Sequence, residues 1–400
     1  MCLRIAALWV ALMFVFAYVD FSLYRPDVRA GLEQGTIGVF EVVRSSCSRT
    51  TSTNPLTMLM NPRGQENTMN SRTQHPRGTM KAITQLRYGG TEVLSLAEVE
   101  APVPGDDEVL IRVRAVGVSA GDILLMHGEP RMVRLAFGLR RPRHPTIGRD
   151  VAGEVEAVGA QVTRFRVGDA VYAESNQGGF AEFVAVPERF VAVRPTTLDA
   201  VQSSAVPVSG TTALQGLRLA GVMPGQHVLV NGASGGVGGF AVQLAKAMGA
   251  EVTGVCRAAK ADHVRAIGAD HVIDYTSEDF TVAGGRYDMI FDLVADHPLA
   301  RLRRSLTPHG TLLVAAGRGG KVFGPIGRIS RASVMSLFVS QRLRPLAARR
   351  NGGDLAELTR RIEAGEVVPV VDSVFSLERA AEAIARLESG EVRGKVVITV

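Results

Sequence analysis

Cysteine is scarce in this chain of 400 residues, which has only Cys2, Cys47 and Cys256. Their wide separation excludes a disulfide framework and the paired-cysteine motifs that hold structural zinc. Only Cys256 lies in the part of the sequence whose pattern predicts a folded body, and this cysteine usage fits a reducing compartment.

A strong excess of charge is also lacking. The net charge is +6, and half of this excess falls within residues 1–79, which contain eight arginines and five acids. The rest is too weak to attract a polyanion, so we expect no nucleic-acid partner. Because 46% of the residues are hydrophobic, the chain can bury a full core and form two domains.

No apolar run is long enough for an ordinary membrane helix. The longest, residues 5–19, has fifteen residues, whereas a spanning helix needs about 20. Its length suits a signal-peptide core better, but no good cleavage site follows closely. Residues 45–79 are mainly Ser, Thr, Asn, Pro, Arg and Met without periodicity, which predicts disorder.

Residues 1–79 allow three interpretations: a genuine anchor or signal, a disordered appendage, or a start codon placed upstream of Met80. We favour the last, because an export signal offers no evident advantage to the kind of domain that follows. We therefore predict a cytoplasmic protein, with no membrane contact for residues 80–400. Membrane anchoring or export remains the alternative if the run 5–19 is genuine.

A glycine-rich turn organises the centre of the chain. The short apolar run Val228–Val230 is followed by Asn-Gly-Ala-Ser-Gly-Gly-Val-Gly, and then by apolar residues at helical spacing from Val237 to Met248. Residues 251–256 read as a second strand. Strand, glycine turn, helix and strand form the βαβ unit that binds a dinucleotide, with the pyrophosphate at the helix N-terminus.

The spacing of the turn departs from the usual fingerprint at one position. Ala233 stands where the first glycine is expected, so the remaining pattern is Gly232, Gly235 and Gly238. This spacing predicts a looser turn than the strict form.

The end of the second strand predicts which dinucleotide binds. An NAD site has an acid there, which accepts hydrogen bonds from the ribose. This chain has Cys256-Arg257-Ala258-Ala259-Lys260 and no acid between Val252 and Lys260. Arg257 could hold a 2′-phosphate through two hydrogen bonds, so we prefer NADP(H). The alternative is that Arg257 and Lys260 are solvated charges at a helix start.

The hydrophobic pattern divides the body into three parts. Residues 80–207 are mostly short strands with glycine turns, such as 108–115, 150–158 and 179–186. In residues 208–344 strands alternate with helices, which indicates a doubly wound parallel sheet. Residues 345–400 predict two helices, 354–363 and 377–387, and a last strand, 395–400.

The order of these parts resembles that in the medium-chain dehydrogenase/reductase superfamily. Within that superfamily, the chain resembles the zinc-free quinone oxidoreductase and enoyl reductase branch. The resemblance covers residues 80–400 and implies an α/β protein: a GroES-like β-rich catalytic domain (80–207), a Rossmann domain with a doubly wound parallel sheet (208–344), and a tail (345–400) that returns to the first domain. Five segments carry it, in order: 115–122, 145–155, 167–169, 205–213 and 231–238.

Two positions depart from the zinc-dependent members of that superfamily. Ser119 stands where they have a cysteine, and Arg149-Asp150 where they have a His-Glu pair. Serine and arginine are not usual zinc ligands, and the histidines of the body are scattered without ligand spacing. We therefore predict no metal site.

Without a metal to polarise a carbonyl, the resemblance implies an NADPH-dependent reductase of a quinone or an α,β-unsaturated carbonyl. Two alternatives remain: a zinc-free alcohol or aldehyde dehydrogenase, and an NADPH-binding sensor without turnover. The acceptor is a small molecule, and five arginines between residues 131 and 143 favour an anionic one unless they only solvate a loop. The oligomeric state is open, with a homodimer as one option.

Ser119 is the candidate catalytic residue, as a hydrogen-bond donor in the cleft at the position of the lost cysteine. It could equally cap a loop or contact the cofactor ribose. Some relatives use a tyrosine, but Leu124 occupies the corresponding position.

The resemblance also implies which residues contact the cofactor. The phosphate turn falls on Ser234, Gly235, Gly236, Val237 and Gly238, and the 2′-phosphate pocket on Arg257, Lys260 and Tyr275, next to Cys256. Tyr275 could instead be a packed aromatic at a strand end, and Lys395 a solvated charge. The remaining positions are Asp122 and Thr211, the loop residues Ala316, Gly317 and Arg318, and Lys395 in the tail.

Overall fold

The computed structural model describes residues 78–282, 287–315 and 324–400. The predicted extension, up to residue 77, lies outside the described residues, as does the loop 316–323 with Ala316, Gly317 and Arg318. The first strand begins at Thr79, one residue before Met80.

The first half of the described chain forms mostly antiparallel strands. Strands β1 (Thr79–Gln85) and β2 (Leu94–Glu100) pair as a separate two-stranded sheet. A seven-stranded sheet has the order β14-β15-β3-β4-β5-β7, with β6 paired to β3. Its strands are β3 (Glu108–Val118), β4 (Asp150–Val158), β5 (Ala170–Glu174), β6 (Phe183–Pro187), β7 (Val191–Val193), β14 (Val371–Ser376) and β15 (Lys395–Thr399).

Alternation of side chains explains the first half of β3. Val109, Ile111 and Val113 are buried, and so is Leu110 on the other face, whereas Arg112 and Arg114 on that other face keep contact with solvent. Arg112 forms an ion pair with Glu156 on β4 at 2.9 Å, so opposite charges face each other across the two strands. Such cross-strand pairs help to fix the register of an antiparallel sheet.

The second half forms a six-stranded parallel sheet with the order β10-β9-β8-β11-β12-β13. The strand order reverses between β8 and β11, which in such sheets is the point where ligands bind, outside the carboxyl ends of the strands. The strands are β8 (His227–Asn231), β9 (Glu251–Cys256), β10 (His271–Asp274), β11 (Tyr287–Asp292), β12 (Leu306–Val314) and β13 (Arg342–Pro345).

Helices cover this parallel sheet and connect it to the first one. Val228, Leu229 and Val230 of β8 are all fully buried, as expected for a strand covered on both faces. The helices are α1 (Ala120–His127), α2 (Val133–Phe137), α3 (Ala200–Ser204), α4 (Pro207–Ala220), α5 (Gly236–Ala247), α6 (Ala261–Ala266), α7 (Leu299–Arg304), α8 (Ile326–Ser336), α9 (Gly352–Glu363) and α10 (Ala380–Glu388).

The tail returns to the first sheet. Strand β15 pairs antiparallel with β3 and parallel with β14. Ile384 of α10 and Val396 of β15 lie in the same apolar core as Ile111 of β3. The last residues of the chain therefore complete the sheet that its first half began.

The predicted α/β fold, with a GroES-like sheet and a Rossmann-like parallel sheet, is confirmed. Some limits of the elements differ from the prediction. The strand expected at 179–186 covers Phe183–Pro187, and the helix expected at 377–387 begins as a 3₁₀ turn before α10. Within the described ranges, no helix is long and apolar enough to cross a bilayer.

Candidate active site

The glycine turn follows β8 at the switch point of the parallel sheet. Gly232 has a φ of +93°, a conformation that favours glycine, and its carbonyl accepts the Gly235 amide at 3.2 Å. A Cβ on Gly238 would lie 2.1 Å from the Gly232 oxygen, so α5 packs directly on the turn. The first amides of α5 lack intrahelical acceptors, and this is where a diphosphate can bind.

Polar side chains beside this turn fit a dinucleotide. Ser234 is nearly buried, and Thr211 on α4 is fully buried. The hydroxyl of Thr211 has no hydrogen-bond partner among the described residues. Because a buried, unpaired polar atom costs about 1–3 kcal/mol, a bound polar group could recover free energy at this position.

The predicted 2′-phosphate residues meet just after β9. Arg257 Nε donates a hydrogen bond to the Tyr275 hydroxyl at 2.6 Å, and Glu391 lies 3.9 Å from Arg257. The side chain of Arg257 is 54% exposed, and Tyr275 is 45% exposed. Cys256 ends β9 with its side chain buried. A solvent-exposed guanidinium therefore occupies the position where an NAD site would have an acidic side chain.

The Lys260 side chain is bonded to the tail and does not join Arg257 and Tyr275. Its Nζ donates to the carbonyls of Gly390 (2.8 Å) and Val392 (2.9 Å) in the tail. Burial, followed by the charge of Arg257, lowers the pKa of Lys260. Lys260 adds positive charge near Arg257, but its hydrogen bonds connect the parallel sheet to the tail.

A buried triangle of polar groups lies where β3, β4 and β15 meet. The Ser119 hydroxyl donates to Asp150 Oδ2 at 2.5 Å, and Lys395 Nζ donates to both Ser119 Oγ and Asp150 Oδ2 at 2.7 Å. Ser119 is 6%, Asp150 0% and Lys395 3% exposed. Lys395 is therefore not a solvated surface charge, and the Ser119 proton is held by Asp150.

This triangle is connected to the glycine turn. Asp150 Oδ1 accepts the amide of Val208 in α4 at 2.5 Å, and the Gly394 amide donates to the Ser234 carbonyl at 3.0 Å. A Cβ on Gly236 would lie 2.9 Å from Lys395 Cδ. The tail strand β15, itself part of the first sheet, thus borders the candidate phosphate site.

Asp122 lies beneath Ser119. One of its carboxylate oxygens accepts the Ser119 amide at 2.8 Å, and the other is buried without a partner in the described chain. Burial, with a smaller contribution from the charge of Asp150, raises the pKa of Asp122 to about 7. A full negative charge is therefore unfavourable beside the triangle.

Known protein families and relatives match this chain. Residues 105–196 match the family model described as alcohol dehydrogenase GroES-like domain, and residues 267–398 the one described as zinc-binding dehydrogenase. The chloroplastic quinone-oxidoreductase QR1 of Triphysaria versicolor is 33% identical, over 80% of this chain and 98% of its own length. The chain belongs to the medium-chain dehydrogenase/reductase superfamily.

Further relatives place it in the quinone oxidoreductase-like branch. The NADPH-dependent alkenal/one oxidoreductase of Arabidopsis thaliana is 32% identical, over 80% of this chain and 79% of the relative. The solved quinone oxidoreductase from Coxiella burnetii has a TM-score of 0.71 and 27% identity, over 80% of this chain and 99% of that one. The protein is therefore an oxidoreductase, and its family and Rossmann-like sheet imply a nicotinamide cofactor.

The position of a zinc ligand in other superfamily members is occupied by an ion pair. The Arg149 guanidinium contacts the carboxylate of Glu174 at the end of β5. Burial raises the pKa of Glu174, while the Arg149 charge opposes that rise. Across the described ranges, no group of three or more His, Cys, Asp and Glu side chains is arranged to hold a metal ion.

Two buried acids were missed by the sequence analysis as site residues. Asp150 was noted only as a departure from a zinc ligand, although its position at the start of a buried strand was a usable signal. Asp292 ends β11 at the switch point, where it accepts from Asn231 (3.0 Å) and pairs with Arg328 (2.6 Å). The contribution of Ala316, Gly317 and Arg318 stays a prediction.

Proposed function

We propose that this chain is a zinc-independent, NADPH-dependent oxidoreductase that reduces a quinone or an α,β-unsaturated carbonyl. The observation that carries the cofactor choice is the exposed Arg257 after β9, bonded to Tyr275 where an NAD site would have an acid. The quinone and alkenal/one oxidoreductases among its relatives support the acceptor class. Ser119 and Arg149, at the positions of zinc ligands, support a reaction without that metal.

The residues described above would each bind a different part of NADPH. The amides of Ser234 to Gly238 would bind the diphosphate, Arg257 and Tyr275 the 2′-phosphate, and the unpaired Thr211 hydroxyl a group near the nicotinamide. Lys395 would pack its side-chain stem against the turn at Gly236 while its Nζ stays paired with Asp150, and Asp122 would support the start of α1. When bound, the cofactor supplies a hydride to the acceptor.

The chain itself would supply the proton. Ser119 Oγ–H can pass its proton to the reduced acceptor after rotating away from Asp150, Lys395 Nζ, at 2.7 Å, can then replace it, and solvent returns a proton to Lys395 before the next turnover. Asp150 accepts hydrogen bonds from both groups, which fixes their orientation. Leu124 is 49% exposed on α1 and offers no proton at the position where some relatives have a tyrosine.

The test of the cofactor assignment is Arg257→Ala, with NADPH and NADH affinities measured by fluorescence titration. Loss of a charge-assisted phosphate contact should reduce the NADPH preference by about 1–3 kcal/mol, which is roughly 5- to 150-fold. The matched control is Arg265→Ala, because Arg265 is an exposed arginine of the same sheet domain that pairs with Asp262. An unchanged preference in Arg257→Ala would place the phosphate elsewhere.

A sensor without turnover is the second candidate, and the buried, doubly bonded Ser119 hydroxyl favours it. Oxidation of NADPH in the presence of simple quinones and enones separates the two functions. Tight NADPH binding without turnover by any acceptor would support the sensor. Turnover with saturated aldehydes alone would instead support the alcohol or aldehyde dehydrogenase. The homodimer and the cytoplasmic location remain predictions.

A further inference from the structure

The tail places an acid beside the candidate 2′-phosphate site. Glu391 lies shortly after α10, and its Oε1 is 3.9 Å from Arg257 Nη1. The Glu391 side chain is 64% exposed, so it can meet a bound ligand. In the ranges that the structure describes, it is the one carboxylate within ion-pairing distance of Arg257. A 2′-phosphate bound to Arg257 would therefore lie close to a negative charge from the tail.

The backbone on both sides of Glu391 is fixed to the parallel-sheet domain. Lys260 Nζ donates to the carbonyls of Gly390 (2.8 Å) and Val392 (2.9 Å), which are the two neighbours of Glu391 in the chain. Because Lys260 is only three residues after Arg257, these bonds attach the tail loop directly to the segment that follows β9. The closeness of Glu391 and Arg257 is thus set by the backbone of the tail.

A second pair of bonds holds this loop from its other end. The Arg393 guanidinium donates to the Ala259 carbonyl at 2.9 Å. The next residue, Gly394, donates its amide to the Ser234 carbonyl in the glycine turn at 3.0 Å. The loop that carries Glu391 therefore runs from the 2′-phosphate residues to the candidate diphosphate site.

Another acid near the same strand end is already bonded. Asp274 ends β10, in register with Cys256 at the end of β9. Its carboxylate accepts the backbone amide of Thr276 at 3.0 Å and the hydroxyl at 2.8 Å, and these bonds lower the pKa of Asp274. The Glu391 carboxylate accepts no hydrogen bond within the described part of the chain. It is therefore the acid that is available to a bound ribose.

The charge of Glu391 acts differently on the two nicotinamide dinucleotides. NADP(H) has a phosphate at the 2′ position, and a nearby carboxylate repels it. NAD(H) has a hydroxyl there, which can donate to a carboxylate, as it does to the acid at the end of the second strand in NAD sites. The tail thus supplies an acid of the kind that β9 lacks.

We propose that Glu391 is a specificity-determining residue, which weakens the preference for NADPH and allows NADH to bind at the same site. Arg257 attracts the 2′-phosphate, and Glu391 offsets part of that attraction; with NADH, Glu391 accepts the 2′-hydroxyl. This inference rests on the proposed function, because it places the 2′ position of the dinucleotide at Arg257. It adds that two residues from distant parts of the chain set the cofactor preference together.

The test is Glu391→Gln, with NADPH and NADH affinities measured by fluorescence titration. Glutamine keeps the size of the side chain and removes its charge. The ratio of NADPH to NADH affinity should rise roughly 3- to 10-fold, as expected for one charge a few ångströms from another in a largely aqueous site. The control is Glu382→Gln, because Glu382 is an exposed acid of the tail that pairs with Arg379 instead. This control should leave the ratio unchanged.

Salt separates an effect of charge from a change in the structure of the loop. At about 1 M salt the Debye length falls to about 3 Å, so the gain in Glu391→Gln should shrink to less than ~2-fold. The affinities for adenosine 2′,5′-bisphosphate and AMP give the same comparison without the nicotinamide half. The bisphosphate should gain from Glu391→Gln, and AMP should not.

Several results would overturn the inference. NADH could fail to bind the wild type, the affinities for NADPH and NADH could rise equally in Glu391→Gln, or the gain could persist at high salt. An unchanged ratio in Glu391→Gln, together with a lowered ratio in Arg257→Ala, would refute the role of Glu391 alone. An unchanged ratio in both variants would also refute the assignment of the 2′-phosphate to Arg257. The two failures are therefore distinguishable.

Discussion

The two ends of the candidate cofactor site are built differently. At the open end, Arg257 and Tyr275 are about half exposed and bonded mainly to each other. At the buried end, Ser119, Asp150 and Lys395 are almost completely removed from solvent and bonded in a closed triangle. The open end can gain or lose a ligand with little change to the fold, whereas the buried end contributes to both the fold and the site.

The physical reason for this difference is solvent. Water screens the charge of an exposed arginine, so pairs at the surface contribute little to stability. Inside the protein, a charge without its partner carries a large desolvation cost. We therefore expect substitutions at the buried end to change the free energy of unfolding, and substitutions at the open end to change ligand preference.

Lys395→Met should have the largest effect. It leaves the Asp150 carboxylate buried without its cation, so the free energy of unfolding should fall by about 3–5 kcal/mol, as measured by urea denaturation at pH 7. Arg379→Met is the control, because water screens the exposed pair Arg379–Glu382 and its loss should change the stability little.

A double variant sharpens this prediction. Asp150→Asn together with Lys395→Met removes both charges, so its loss of stability should be clearly smaller than the sum of the two single losses. Additive losses would show that the two side chains are not coupled, and the buried end would then resemble the open one.

Asp122→Asn should have the next largest effect, visible as a pH dependence. Because the folded state raises the pKa of Asp122 to about 7 from about 4 in the unfolded chain, the proton stabilises the fold at low pH. This contribution is complete below about pH 4 and is lost as the pH rises to about 7. Relative to Asp122→Asn, the wild type should lose about 3 kcal/mol between pH 5 and pH 8, measured by urea denaturation at both values.

The asparagine keeps an oxygen that can accept the Ser119 amide, so the comparison isolates the charge. An identical pH dependence in the two proteins would mean that the Asp122 carboxyl ionises normally in the fold.

Lys260→Met should change stability and cofactor preference least. It tests whether Lys260 belongs to the phosphate site or to the contacts with the tail. Loss of its hydrogen bonds to Gly390 and Val392 should lower the unfolding free energy by about 1 kcal/mol. The ratio of NADPH to NADH affinity should change by less than ~5-fold, well below the change in Arg257→Ala. A fall in that ratio as large as in Arg257→Ala would assign Lys260 to the phosphate site.

Much of the fold follows from local patterns in the sequence. The apolar centre of β8 at Val228–Val230, the glycine turn and the helical spacing from Val237 onward depend on neighbours within one turn or one strand. The prediction of strand 150–158 agrees with β4 at both limits. The prediction of strand 179–186 was less accurate because Ala181 makes only an isolated bridge to Ala82, and regular pairing begins at Phe183.

The candidate site was less predictable, because its residues are far apart in the chain. Lys395 is 245 residues from Asp150, and the sequence pattern allowed it to be an ordinary solvated charge. Arg257 and Lys260 looked equivalent in sequence, yet one remains open to solvent and the other is bonded to tail carbonyls.

The amino-acid sequence by itself determined the order of the strands and helices, the glycine turn and the absence of an acid after β9, since these depend on periodicity and on backbone freedom at single residues. Only the tertiary structure decided which charges are buried together, because burial depends on what the distant strands β3, β4 and β15 bring into contact. The same lysine is a surface charge or half of a buried ion pair according to the sheet into which the tail folds.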